Sequence, residues 1–194
     1  MQATGSSHSL ALRRGEFTTL IEALDYAAEG FTGVNFYNAR GELYATSTYA
    51  DLQTEVIALA QRLLGLGLEP GARVGLVAET SPHFVRFFWA CQYAGLVPVP
   101  LPATMHIGGH AGYVAPEDFD RLTPSTVTLP TVTPDSIAYI QYTSGSTRFP
   151  RGVVIDHKTV LANINDMATN GLKMTDLDRF GSWLPFYHDM GLVA

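Results

Sequence analysis

The chain contains one cysteine, Cys91, among 194 residues, and this scarcity excludes several kinds of protein. A single cysteine can form neither an internal disulfide bond nor a cysteine-rich zinc site. Basic residues are also scarce, because 12 Lys and Arg stand against 18 Asp and Glu, for a formal net charge of -6. Binding to a phosphate backbone requires a basic surface, so this balance argues against a nucleic-acid-binding protein.

Long apolar segments are missing as well. No stretch reaches the roughly 18 apolar residues of a membrane-spanning helix. Residues 1–10 are polar and lack the apolar core of a signal peptide. Hydrophobic residues nevertheless make up 46% of the chain, which is enough to bury a sizeable core. We therefore expect a globular cytoplasmic protein without a transmembrane segment.

The first part of the chain predicts helices and a hairpin. Residues 1–16 form a loose lead-in, after which Thr19 and Glu22 have the spacing of a capping box. A hairpin is predicted around residues 38–41, and Thr48 can cap a second helix. The strongest periodic pattern in the chain gives that helix one apolar face, formed by Leu52, Val56, Leu59, Leu63 and Leu66.

The remaining pattern alternates strands and helices. A strand at 73–78, a helix from Pro82 and an extended segment at 97–101 have the order of a parallel βαβ unit. Residues 102–135 are rich in glycine and proline and show no periodic element. Further strands are predicted at 136–142, 152–155 and 179–184, with a helix from His157. The sequence therefore predicts an α/β fold with a mostly parallel sheet and flanking helices.

Residues 142–152, YTSGSTRFPRG, carry the clearest chemical signal. This segment contains four Ser and Thr hydroxyls, two glycines and two arginines, with no acidic residue. Glycines let backbone N–H groups approach an anion, hydroxyls add donors, and arginines bind phosphate in a fork. A Ser/Thr-rich surface turn is the alternative interpretation. The spacing excludes a Walker A loop, because Gly145 and Gly152 are seven apart and no lysine follows.

The same segment resembles the phosphate-binding signature of the acyl-adenylate-forming (AMP-binding) enzymes, which reads roughly Thr-Ser-Gly-Ser-Thr-Gly-x-Pro-Lys-Gly. Here Arg148 stands at the middle glycine and Arg151 at the lysine. An arginine at the first of these places is typical of one branch, the fatty acyl-AMP ligases. Arg151 keeps the positive charge but presents a planar fork instead of a point-like ammonium.

Three other segments resemble the same branch. Residues 183–192, WLPFYHDMGL, are similar to the next signature of these enzymes, and they follow the first in the right order. Residues 95–102 and 108–113 also resemble the branch. The resemblance begins at about Phe17, so it implies that residues 17–194 are part of the large N-terminal domain of an adenylate-forming enzyme.

The resemblance implies that ATP, accompanied by Mg²⁺, activates a fatty acid to an acyl-adenylate, which passes to an acyl carrier protein or a polyketide synthase. His188 would act as the catalytic residue that approaches the carboxylate. Eight residues would bind phosphate: Thr143, Ser144, Gly145, Ser146, Thr147, Arg148, Arg151 and Gly152. Seven would form the acyl and adenylate pocket: Trp183, Pro185, Phe186, Tyr187, Asp189, Met190 and Gly191. No metal ligand is assigned.

Departures from the family pattern leave alternatives open. Later family signatures and the C-terminal domain are absent, so we expect an N-terminal fragment that is inactive alone. The region 102–135 is shorter than the family pattern by about one βαβ crossover of some 30 residues, which indicates an internal deletion. A fatty acyl-CoA ligase and a non-catalytic nucleotide-binding fragment are the other two interpretations.

Overall fold

A computed structural model describes residues 10–77, 79–102, 109–110, 112–143 and 151–193. The elements in chain order are α1 (Leu20–Ala28), β1 (Gly33–Tyr37), β2 (Leu43–Thr48), α2 (Tyr49–Gly65), β3 (Arg73–Val77), α3 (Pro82–Tyr93), β4 (Val97–Leu101), α4 (Pro116–Phe119), β5 (Ile137–Thr143), β6 (Arg151–Asp156), α5 (His157–Asp166), a π-helical turn (Met167–Gly171) and α6 (Asp189–Val193). Within these ranges, no helix is both long and apolar enough to cross a membrane.

The predicted helix starts are confirmed. Thr19 caps α1 by accepting a hydrogen bond from the Glu22 amide at 3.2 Å. The Glu22 carboxylate reaches back to the amide of Thr18 at 2.7 Å, one residue earlier than a standard capping box requires. Thr48 caps α2 in the same way, by accepting from the Asp51 amide at 3.0 Å.

The apolar face of α2 forms the centre of the larger core. The predicted face is confirmed for Leu52, Val56, Leu59 and Leu63, which are buried and pack with residues of α1 and α3. The prediction is wrong for Leu66, whose side chain is 46% exposed. The helix ends at Gly65, so the chain leaves the helical path before position 66 can join the buried face.

The βαβ unit is confirmed. β3 and β4 pair in parallel through α3, which begins with Ser81 as its cap and Pro82 in its first turn. Gly95 has a φ of +62°, a conformation that a residue with a side chain rarely adopts, and it turns the chain from α3 into β4. All five residues of β4 are buried, as expected of a strand covered on both faces.

Fewer strand pairs are parallel than the sequence predicted. Among the described residues, three strand pairs form, and of these only β3–β4 is parallel, while β1–β2 and β5–β6 are antiparallel. β4 lies beside β5, and Val97, Val99 and Leu101 cluster with Ile140 between them. The α/β class is confirmed, with helices packed against short strand pairs.

Two regions of the chain contain little regular structure. In the described part of 102–135, α4 is the one regular element, and Gly108 and Ala111 lie outside the described residues. The predicted strand at 179–184 is wrong, because the chain there is irregular. Phe180 and Trp183 are 65% and 91% exposed, so the apolar residues that suggested a strand have no buried face to occupy.

His157 ties the start of the chain to the centre of the fold. It is the first residue of α5, is 1% exposed, and its Nδ1 accepts a hydrogen bond from the Leu20 amide at 3.0 Å. Burial lowers the pKa of His157 from 6.5 to about 4, although the neighbouring Asp156 acts in the opposite direction. The ring is therefore neutral at pH 7, and the nitrogen facing Leu20 carries no proton.

We expect the free energy of unfolding to fall as the pH is lowered from about 6.5 to about 4. The pKa of His157 is lower in the folded chain than in the unfolded chain, so protonation favours unfolding. Denaturant titrations across this pH range should show a weaker pH dependence in His157→Gln than in the wild type. The exposed His83 provides the control, His83→Gln. Equal pH dependence in the wild type and His157→Gln would contradict the assignment.

Candidate functional site

The ends of the predicted phosphate loop lie on the β5–β6 hairpin. Thr143 is the last residue of β5 and Arg151 is the first of β6, and the two are paired across the ladder. The Thr143 hydroxyl donates to the Arg151 carbonyl at 3.5 Å. Both side chains are exposed. The other predicted phosphate-binding residues between them lie outside the described residues: Ser144, Gly145, Ser146, Thr147 and Arg148.

Gly152 lets the base of this hairpin close tightly. A Cβ atom at this position would lie 3.0 Å from Cγ2 of Ile140 and 3.5 Å from Cζ of Tyr142. A larger residue would therefore require the Ile140 side chain to shift by a few tenths of an ångström. This packing accounts for the glycine, and its phosphate-binding role remains a prediction.

The second signature packs against the same end of the structure. We call residues 184–188 the signature turn. The amide of Phe186 donates to Oγ1 of Thr80, just after β3, at 3.1 Å. The side-chain amide of Gln141, in β5, donates to the Tyr187 carbonyl. The turn thus contacts the segment after the carboxyl end of β3, the edge at which open α/β sheets bind ligands, and the side of β5.

Thr80 and Gln141 are site residues that the sequence predictions missed. Gln141 follows four residues of an otherwise apolar strand and is only 4% exposed. A buried amide in such a strand is a detectable signal, since buried polar side chains need a partner. Thr80 gave no comparable signal, because a threonine just before a helix start is common for local reasons.

His188 directly precedes the last described helix, α6. Its Nδ1 accepts a hydrogen bond from the Met190 amide at 3.4 Å, and its carbonyl accepts from the amides of Gly191 and Leu192 at 2.9 and 3.1 Å. The side chain of His188 is exposed.

Gly191 permits the signature turn to close. A Cβ atom at this position would lie 2.3 Å from the carbonyl oxygen of Pro185, far inside van der Waals contact. The predicted pocket residues Pro185, Phe186 and Tyr187 therefore belong to the turn itself, and Gly191, in α6, packs against it. Asp189 opens α6, and its side chain lies outside the description.

An apolar cleft of about 370 Å³ lies on the other side of this segment. Two of the predicted pocket residues, Trp183 and Met190, line it together with residues that the prediction did not include. The full lining is Met167, Gly171, Leu172, Phe180, Gly181, Ser182, Trp183, Leu184 and Met190. Its volume lies within the usual range of small-molecule sites, roughly 300–1,000 Å³.

The described residues offer no metal cage. No group of three or more His, Cys, Asp or Glu side chains within those ranges is placed to hold a metal ion. Mg²⁺ commonly binds through substrate phosphates and only one or two carboxylates.

Comparison with known proteins places these features in context. The family model described as AMP-binding enzyme matches residues 27–110 and 110–194. A Caulobacter vibrioides protein, provisionally named an acyl-CoA synthetase, is 38% identical over 232 positions, which cover 100% of this chain and 40% of the relative. The chain therefore spans about two fifths of that relative's length.

Two further matches concern fatty-acid ligases. A medium-chain-fatty-acid–[acyl-carrier-protein] ligase of Teredinibacter turnerae is 52% identical over 65 residues, which cover 34% of this chain and 10% of the relative. A solved structure from a study of fatty acyl-adenylate ligases of E. coli and L. pneumophila superposes with a TM-score of 0.87 at 42% identity. That match covers 93% of this chain and 40% of the solved chain.

Proposed function

The chain belongs to the AMP-binding enzyme family, and from this premise we propose that it serves the ATP-dependent activation of a fatty acid to a fatty acyl-adenylate. One observation carries the proposal beyond family membership. The hairpin that bears Thr143 and Arg151 contacts the second signature directly, through the bond from Gln141 to the Tyr187 carbonyl. The residues proposed to bind phosphate and those proposed to bind the carboxylate therefore lie close to one another at one edge of the structure.

In the proposed reaction, a carboxylate oxygen of the fatty acid attacks the α-phosphorus of ATP. A new carboxyl oxygen–phosphorus bond forms, the bond from the α-phosphorus to the bridging oxygen breaks, and pyrophosphate leaves with the electron pair. No protein nucleophile is required. The chain contributes by holding the two reactants and by stabilising negative charge on the phosphates.

Each site residue has a proposed part in this step. The Arg151 guanidinium neutralises phosphate charge, and the Thr143 hydroxyl adds a donor at the same hairpin end. Ser144, Gly145, Ser146, Thr147 and Arg148 act with them as predicted from the sequence. His188 approaches the carboxylate end of the reactants, as predicted from the sequence. Mg²⁺ bound with ATP would reduce the charge of its phosphates.

The apolar cleft is the proposed place of the acyl chain. Met167, Leu172, Phe180 and Trp183 surround it with hydrocarbon and aromatic surface. Burial of apolar surface contributes about 0.8 kcal/mol per methylene group, so this lining favours an aliphatic acid over a polar one. Leu184 belongs both to the cleft and to the signature turn, which connects the acyl site to His188.

The acyl acceptor separates two candidate functions. Transfer to a carrier protein is supported by the Teredinibacter relative, whose name specifies an acyl-carrier-protein ligase. Transfer to coenzyme A is supported by the longer match to the Caulobacter protein. We propose transfer to a carrier protein as the primary function, because the family branch indicated by Arg148 is that of the acyl-AMP ligases. Incubation of the acyl-adenylate with each acceptor in turn would distinguish them.

A non-catalytic, nucleotide-binding chain is the remaining candidate. The alignment with the Caulobacter protein runs over 232 positions, 38 more than the 194 residues of this chain. This excess supports the prediction of an internal segment, about one crossover long, that has no counterpart here. A chain that lacks this segment could bind ATP without completing the reaction.

Exchange of labelled pyrophosphate into ATP tests the proposed function. The proposed function requires label to enter ATP in the presence of the chain and a medium- or long-chain fatty acid, and not when the acid is omitted. This result would overturn the sequence-based expectation that the chain is an inactive fragment. The dependence on acid arises because pyrophosphate can return only to an acyl-adenylate. ATP binding without exchange would support the non-catalytic alternative, and absence of both would contradict the proposal.

A further inference from the structure

We propose that Thr80 and Gln141 are positioning residues that hold the signature turn, and with it His188, against the end of β3 and against β5. This inference deepens the proposed function and rests on it for its catalytic consequence. The contacts themselves are independent of any reaction. Neither residue belongs to the two segments that resemble the family signatures, which cover residues 142–152 and 183–192.

Thr80 makes two hydrogen bonds to the turn with one hydroxyl group. Its Oγ1 accepts from the amide of Phe186 at 3.1 Å and donates to the carbonyl of Leu184 at 3.4 Å. A hydroxyl can do both at once, because it has one proton and two lone pairs. The chain separation of 104 and 106 residues makes this a tertiary contact that joins the end of β3 to the turn.

Gln141 holds the next carbonyl of the turn. Its Nε2 donates to the Tyr187 carbonyl, while its Oε1 is buried and has no hydrogen-bond partner among the described residues. Leaving a buried acceptor unsatisfied costs folding free energy that an apolar residue of similar shape would not lose. A strand stabilised for packing alone would therefore favour leucine here, and the amide is explained by its bond to the turn.

A third contact fixes the turn from the side of α3. The ring of Phe186 lies 5.2 Å from the ring of Phe84, measured between centroids, and Phe84 is 2% exposed. The turn is thus held by the consecutive β3–α3 segment and by β5, all of which are distant from the turn in the chain. His188 comes directly after these held positions, so the location of its backbone is determined by them.

Gln141 also connects the turn to the predicted phosphate loop. It lies in β5 two residues before Thr143, which is paired with Arg151 at the loop's base. Any shift of this strand end therefore moves the Tyr187 carbonyl as well. Gln141 therefore links the position of His188 to the strand that carries the phosphate-binding groups, while Thr80 and Phe84 hold the turn from the other side.

Hydrogen exchange of the free chain tests the contacts directly. We expect Thr80→Val to speed exchange of the Phe186 amide by roughly three- to tenfold, the factor expected for one net hydrogen bond. Gln141→Leu should likewise speed exchange in the turn. Amides of α2 should exchange as in the wild type. If neither variant changes exchange in the turn, the proposal fails.

Gln92→Leu is the matched control. Gln92 is 1% exposed, its Nε2 donates to the Ala138 carbonyl at 2.9 Å, and its Oε1 is buried without a partner among the described residues. The variant Gln92→Leu therefore loses the same type of hydrogen bond at a similarly buried position, but the lost bond does not involve the signature turn. Equal exchange of the turn in Gln92→Leu and Gln141→Leu would assign the effect to general destabilisation and overturn the proposal.

The catalytic consequence is measured by pyrophosphate exchange. We expect Thr80→Val and Gln141→Leu to lower kcat by roughly 10- to 100-fold, since small misplacements of reacting groups have effects of this size. The KM for ATP should change little, and Thr80→Ser should restore kcat by restoring the hydroxyl. Unchanged kcat despite a loosened turn would contradict the positioning role. A wild-type chain without exchange would instead contradict the proposed function, and hydrogen exchange would still decide whether the contacts hold the turn.

Discussion

Replacement of Arg151 with alanine is expected to lower fatty-acid-dependent pyrophosphate exchange by about 100-fold or more, the effect of removing one preorganised charge partner from a reacting oxyanion. Arg151 stands at the base of the predicted phosphate loop, paired with Thr143 and exposed to an incoming anion. Arg151→Lys should retain part of the activity, because the usual family signature has lysine at this place and the positive charge is preserved.

Arg40→Ala controls for the loss of one positive charge. Arg40 is exposed in the turn between β1 and β2, and its side chain has no contact with the candidate site in the described part of the chain. Exchange by this variant should equal that of the wild type. Circular dichroism should show that both alanine variants remain folded. If Arg151→Ala exchanged pyrophosphate at the wild-type rate, the assignment of the phosphate site would be wrong.

Replacement of Leu63 with alanine is expected to reduce the free energy of unfolding by about 2–5 kcal/mol. Leu63 is 1% exposed and packs in the core that α2 forms with α1 and α3. Removing its isobutyl group loses burial and leaves a cavity among residues that cannot fully close around it. Denaturant unfolding, followed by circular dichroism, measures the change.

Leu66→Ala gives the comparison at the same helix. Leu66 is 46% exposed at the helix end, and its replacement should change stability by no more than about 0.5 kcal/mol. The two leucines are three residues apart and were predicted to share one face. Similar losses in both variants would show that α2 continues beyond Gly65 and that the buried face includes position 66.

These leucines also show how far periodicity predicts the fold. The repeat correctly identified the buried face of α2, because side chains at spacings of three and four lie on one side of a helix. It did not identify where the face ends, since Leu66 fits the repeat as well as Leu63 does. The end depends on the chain leaving the helix after Gly65, where glycines and Pro70 follow.

Strand direction was the larger error, and one simple length argument corrects it. Seven residues separate Thr143 from Arg151, whereas a parallel crossover needs a dozen or more. The β5–β6 pair therefore had to be an antiparallel hairpin. Alternating hydrophobicity identifies strands but carries no information on their partners. At residues 179–184 the apolar pattern predicted a strand that does not form. The aromatic residues that produced the pattern are exposed and join no sheet in the described part of the chain.

Sequence motifs identified the segments of the candidate site better than they identified the contacts that assemble it. The two signatures stand out because their residue types suit phosphate and acyl chemistry. Thr80 and Gln141 bind backbone groups of distant residues. Every residue has these backbone groups, so the sequence does not reveal which of them is the partner. Their contacts form only in the folded chain, where the segment after β3 and the strand β5 meet the signature turn.

The pairing of Thr143 with Arg151 has a thermodynamic consequence for any ligand of the loop between them. Bringing the ends of a chain segment together lowers its entropy, and the β5–β6 ladder has already done so when the chain folds. A ligand held by residues 143–151 does not bear that cost, so its affinity includes a contribution from ladder stability. Substitutions at the far end of the hairpin, near Ile137 and Asp156, should therefore weaken binding without touching the ligand.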